Sequence, residues 1–62
     1  MKLADFCIEN GYCIDRTQAK RFLMQNKVTI NGERTDCWFI DLEKDDVISI
    51  VTPKSFKVFR VK

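Results

Sequence analysis

An α+β fold, with two short packed helices followed by a small, mainly antiparallel sheet of three to five strands, is predicted by three observations. Leu3, Phe6 and Cys7, and then Ala19, Phe22 and Leu23, recur at helical spacing. Beyond them lie short β-prone runs divided by turn residues, of which Asn31-Gly32 is the strongest turn signal in the chain. Hydrophobic residues make up 45% and charged residues 32% of the 62, with two Gly and one Pro, a globular balance rather than a disordered one.

The first helix carries an apolar stripe of Leu3, Phe6 and Cys7, with Ile8 at its edge. Asn10-Gly11 ends it, because Gly11 takes a left-handed C′ conformation without Cβ strain and Tyr12 then falls where a Schellman-type contact is expected. Asp15 is an N-cap for the second helix, and Gln18 three residues on completes a capping-box-like pattern. Ala19, Phe22 and Leu23 face the first helix, while Thr17, Arg21 and Gln25 lie on the opposite arc and Arg16 and Lys20 stack along its margin. Met24 falls on the exposed side, where packing against a loop or the C-terminal segment is expected. Asn26 is expected to end the helix as a second left-handed stop.

Val28-Thr29-Ile30 alternates as a half-buried strand and reverses at Asn31-Gly32. Cys37-Trp38-Phe39-Ile40 reads as an apolar, β-prone run, and Trp38 and Phe39 are assigned to the core. Lys44-Asp45-Asp46 supplies a turn before Val47–Val51. Thr52-Pro53-Lys54-Ser55 breaks that run, and Phe56 to Val61 forms a last strand, a hairpin partner to residues 47–51. Its apolar pattern slips phase once, which either a bulge or an edge position explains.

One domain of this length buries only about 60% of the surface its unfolded chain exposes, which leaves little room for a deep catalytic pocket. Three cysteines, Cys7, Cys13 and Cys37, at irregular spacing are read as small hydrophobes and fit a reducing, cytoplasmic setting better than a disulfide scaffold. Without His or a C-x-x-C pair no zinc set is available, and no cofactor is expected. Neither a signal-peptide run nor a stretch near the roughly 20 apolar residues of a membrane span occurs, so no membrane partner is expected. Catalysis is not expected either, since Cys7 and Cys13 have no base nearby in sequence.

Net charge is only +2, but its distribution is uneven. Arg16, Lys20, Arg21 and Lys27 follow one another with no acid between them, whereas Asp36, Glu43, Asp45 and Asp46 gather further on. A second basic group, Lys54, Lys57, Arg60 and Lys62, closes the chain. A helix N-terminus with basic side chains beside it can meet phosphate, and Arg suits bidentate phosphate recognition. The junction from the second helix into the strand is therefore the candidate site.

The order of these parts resembles the S-four domain, the RNA-binding module named for the fourth protein of the small ribosomal subunit. The resemblance covers residues 2 to 50. Lys2-Leu3 and Phe6 look like that family's opening Arg-Leu and following apolar residue, and Asn10-Gly11 looks like its first helix end. Asp15-Arg16 stands where Ser-Arg is usual, Gln18-Ala19 matches in type and place, and Phe22-Leu23 resembles its Leu-Ile. Val28-Thr29-Ile30-Asn31-Gly32 is similar to its Val-x-Val-Asn-Gly, and Asp46-Val47-Ile48 to its closing Gly-Asp-x-Ile without the Gly. Ala4, Cys7, Asn26 and Asp45 depart from the pattern, and Asp15 sets a negative charge beside Arg16.

The resemblance implies a single RNA-binding domain over 1–62, of which 51–62 is a C-terminal strand extension. Structured RNA, ribosomal or transfer, is the implied partner, on the ribosome or elsewhere, and the chain is expected to act as a monomer without a small-molecule substrate. Arg16, Thr17, Gln18, Lys20, Arg21, Lys27 and Asn31 are the implied contacts, with Lys2, Arg34, Lys54 and Lys57 in a second rank. Shape recognition is favoured over single-strand reading, because no exposed aromatic platform is evident. For the C-terminal cations, blocking edge-to-edge association outweighs an RNA role. The alternative is a protein-interaction module of the same fold that uses Trp38, Phe39 and the last strand to bind a ribosomal or transcription component.

Overall fold

A computed structural model describes residues Met1–Lys62. Two helices, α1 (Leu3–Glu9) and α2 (Arg16–Gln25), precede four strands, β1 (Lys27–Ile30), β2 (Glu33–Arg34), β3 (Val47–Val51) and β4 (Phe56–Arg60). The strands form one antiparallel sheet in the order β2-β1-β3-β4, so the fold is α+β as predicted.

Helix α1 ends in a full Schellman motif. The Tyr12 N–H donates to the Cys7 carbonyl at 2.9 Å and the Gly11 N–H to that of Ile8 at 3.1 Å, with Gly11 at φ +81°. Its N-terminus has no side-chain cap. The first free N–H groups, on Leu3 and Ala4, instead donate to the carbonyls of Ile40 and Trp38, both at 2.9 Å.

That capping accounts for one correction. Residues Cys37–Ile40 form no strand but a loop with a turn at Trp38-Phe39, whose carbonyls serve α1 rather than a sheet ladder. Trp38 packs against the core from a half-buried position, edge-on to Phe39 at 5.5 Å, whereas Phe39 is 58% exposed and so is not a core residue.

At the head of α2 the Asp15 carboxylate accepts the Gln18 N–H at 2.8 Å, and Gln18 Oε1 reaches back to the Ile14 N–H, one residue beyond the usual capping-box partner. The other end differs from expectation. Asn26 is extended (φ −122°, ψ 156°) rather than left-handed, since β1 begins at the next residue, and its side-chain amide closes the helix by donating to the Phe22 carbonyl at 3.1 Å.

Asn31 (φ +53°) and Gly32 (φ +87°) both occupy the left-handed region, the pattern of a type I′ turn joining β1 to β2. Asp45 (φ +73°) makes the turn before β3. Strand β4 is an edge strand with unbroken register from Val47↔Arg60 to Val51↔Phe56, so its phase slip reflects an edge position and not a bulge.

Eleven buried residues, all apolar or thiol, form one cluster: Leu3, Ala4, Phe6, Cys7 and Cys13 from the α1 side, Ala19 and Leu23 from α2, and Val28, Leu42, Ile48 and Ile50 beneath them. An aromatic chain ties the C-terminal strand into it. Phe59 meets Phe6 edge-on at 5.3 Å and Tyr12 at 6.4 Å, and Tyr12 in turn meets Phe22 at 5.3 Å. No helix is long and apolar enough to cross a membrane.

Candidate nucleic-acid interface

Burial of Ala19 and Leu23 turns Thr17, Lys20, Arg21, Met24 and Gln25 outward, and these five line a shallow depression along α2. Met24, 65% exposed, does not pack under a loop or the C-terminal segment as expected. A second depression, lined by Leu23, Met24, Arg34, Thr35 and Asp36, adjoins the first at Met24. Strand β2 thus brings Arg34 alongside α2, and Asp36 is the only carboxylate lining either depression.

Three ion pairs sort the cations into committed and free. Lys2 pairs with Asp41 at 3.0 Å, Arg60 with Asp45 at 3.4 Å, and Arg16 with Asp5 at 3.4 Å. Lys20, Arg21, Lys27, Arg34, Lys44, Lys54, Lys57 and Lys62 take part in none of them. At the N-terminus of α2, the Asp15 carboxylate already accepts the Gln18 N–H, and Arg16 faces Asp5 through both guanidinium Nε and Nη2. On α2 the unpaired positive charge therefore lies further along the helix, at Lys20 and Arg21, and continues to Lys27 and Arg34.

Asn31 stands apart from that surface. It sits at the end of β1 away from Lys27, about 13 Å on at the usual rise per strand residue. Its amide is engaged: Nδ2 donates to Asp46 Oδ1 at 3.0 Å and Oδ1 accepts the Val47 N–H at 2.9 Å. The Asp46 carboxyl is held below its ordinary value of 3.8, first by the Glu43 backbone N–H and then by Asn31. Gln18 likewise spends its carbonyl on Ile14. Thr17 remains free on the α2 face, while Lys54 sits in the β3–β4 turn, at the same end of the sheet as Lys27.

Two exposed aromatics were not legible as such in the sequence: Phe39, and Phe56 at 64% exposure on β4. The phase slip between Phe56 and Phe59 was the available signal, since it sends one ring outward and the other into the core. Cys7 is pushed up to about 12, first by burial and then by the neighbouring Cys13, and Cys13 is raised by burial and by the Asp15 carboxylate. Neither thiol is a thiolate nucleophile at neutral pH. No group of three His, Cys, Asp or Glu side chains converges to hold a metal ion. Compared with known proteins, the chain matches no family model, no curated protein and no solved structure.

Proposed function

We propose that this chain is an S-four-like RNA-binding protein that lays the outer face of α2 against the backbone of structured RNA. The observation that carries the reading is the surface of Thr17, Lys20, Arg21, Met24 and Arg34, whose three cations are unpaired while the ion pairs of the molecule lie elsewhere. Arg21 and Arg34 suit bidentate phosphate contact, Lys20 and Lys27 add point charge, and Thr17 adds a hydroxyl. Ribosomal or transfer RNA is the substrate class, the cytoplasm the setting, and no chemical step is involved.

Salt dependence tests the reading. Binding to a structured RNA should weaken steeply with salt, and the Lys20→Ala, Arg21→Ala double variant should lower the log-log slope by about two units, roughly one per phosphate contact. Arg16→Ala should change it less, because its guanidinium already faces Asp5. An unchanged slope in the double variant removes α2 as the RNA surface. A protein-interaction role is the second reading, favoured by the exposure of Phe39 beside Trp38, and salt-insensitive binding would support it.

A further inference from the structure

The helices cover one face of the sheet, onto which Val28, Ile48, Ile50 and Phe59 project. Ile30, Glu33 and Lys57 share that side by register, and the strand alternation sends the remaining strand residues to the opposite, uncovered face. Cross-strand register sets them in rows: Lys27, Val51 and Phe56 in one; Arg34, Thr29, Ser49 and Val58 in the next; Val47 and Arg60 in a third. Phe56, Val58 and Val47 are 64%, 55% and 41% exposed.

No carboxylate occupies any of these row positions. The face combines an exposed ring, two hydroxyls and three cations, of which only Arg60 has an acidic partner. Lys27 and the turn residue Lys54 stand at the same end of the sheet as Phe56. An occupant with apolar planar groups and negative charge matches this composition, which is the chemistry of unpaired nucleotides on an aromatic platform. The face is also continuous with the α2 surface. Lys27 follows the α2 cap directly, and Arg34 both pairs with Thr29 and lines the depression at Met24. Two strand spacings, about 10 Å, separate Lys27 from Phe56.

We infer that the uncovered sheet face binds a short single-stranded segment flanking the structured RNA, with one base stacked on Phe56 and the adjoining phosphates beside Lys27 and Lys54. The inference rests on the RNA reading of α2 and extends it from shape recognition to a junction between paired and unpaired RNA. Phe56 is exposed and outside the core, so its replacement leaves folding intact.

The test compares three probes on the full chain: a blunt RNA hairpin, the same hairpin with a short uridine tail, and the tail alone. The tailed hairpin should bind the wild type more tightly than the blunt one. Phe56→Ala should reduce that gain about five- to tenfold, at the lower range for one stacked base, while leaving blunt-hairpin affinity unchanged. Phe56→Tyr should restore the gain, and Phe56→Leu should not. An equal gain in Phe56→Ala or Phe56→Leu overturns stacking on this face and leaves the α2 reading standing. Phe56-dependent binding of the tail without hairpin binding supports the sheet face and overturns α2. A wild type that gains nothing from the tail but self-associates in sedimentation through Phe56 overturns the inference and reassigns the face to a second copy of the chain.

Discussion

At Asn31 one side chain holds two turns together, and the strength of that clasp depends on the ionisation of its partner. The Asp46 carboxylate accepts from the Glu43 N–H at 2.8 Å and from Asn31 Nδ2 at 3.0 Å, which lowers its pKa from 3.8. A folded-state pKa below the unfolded one means stabilisation that is fully present above pH 3.8 and lost as pH falls through the lowered folded value. Asp46→Asn should therefore be least stable relative to wild type near neutrality, with the two urea midpoints converging below about pH 4. Asp15 presents a second single-residue trade. Asp15→Ala should cost about 1 kcal/mol in urea denaturation through loss of the N-cap. Asp15→Ser should keep the cap and, by removing a negative charge beside Arg16, bind structured RNA more tightly at low salt. Equal affinity for Asp15→Ser and wild type would show that the N-terminus of α2 lies away from the RNA.

At the scale of elements, the two ends of α1 are closed by different means. Its C-terminus is closed locally by Gly11, whereas its N-terminus depends on the carbonyls of Trp38 and Ile40. The carbonyls of the 37–40 loop thus complete α1, and within that loop Trp38 packs on the core while Phe39 and Ile40 stay exposed. Strand β4 is equally committed. Besides pairing with β3, it supplies Phe59 to the Phe6–Tyr12 cluster, and Val61 exchanges backbone hydrogen bonds with Asp45 and Asp46 at 2.8 and 2.9 Å. A chain ending at Val51 should lose its cooperative urea transition, and Phe59→Ala in the full chain should cost about 2–4 kcal/mol, somewhat under the usual range for a fully buried Phe. Retention of a sharp transition by the truncated chain would show that β4 is an appendage.

For the whole molecule, the core and the charges govern different properties. With 11 of 62 residues buried, stability rests on a thin apolar cluster, and the three ion pairs are all exposed and contribute little. Raising salt should therefore leave the thermal midpoint nearly unchanged while RNA affinity falls by orders of magnitude. A midpoint that moves in step with affinity would mean that the free cations on α2 strain the fold and are not held for a partner. The separation also makes the α2 variants clean tests: Lys20, Arg21 and Met24 are exposed and can be changed without touching the core.

Much of this fold was legible along the chain because its elements are delimited by local chemistry. Gly11, Asp15 with Gln18, Asn31-Gly32 and Asp45 act on amides or backbone angles within a few residues, so each marks an end wherever the chain goes next. Apolar spacing likewise identified the buried faces of both helices. The rest required distant partners. Whether Cys37–Ile40 became a strand depended on amides more than 30 positions earlier, and whether Asn26 turned left-handed depended on how soon β1 began. Which cations remain free was equally undetermined, since Arg16 meets an acid 11 residues away and Lys2 one 39 away. Local chemistry along the chain specified the helices, the turns and an α+β chain with a basic second helix. Only tertiary packing decided that Phe39 faces solvent, that Phe59 rather than Phe56 closes the core, and that Lys20, Arg21 and Arg34 are among the cations left unpaired, because burial and ion pairing are set by neighbours that local chemistry does not specify.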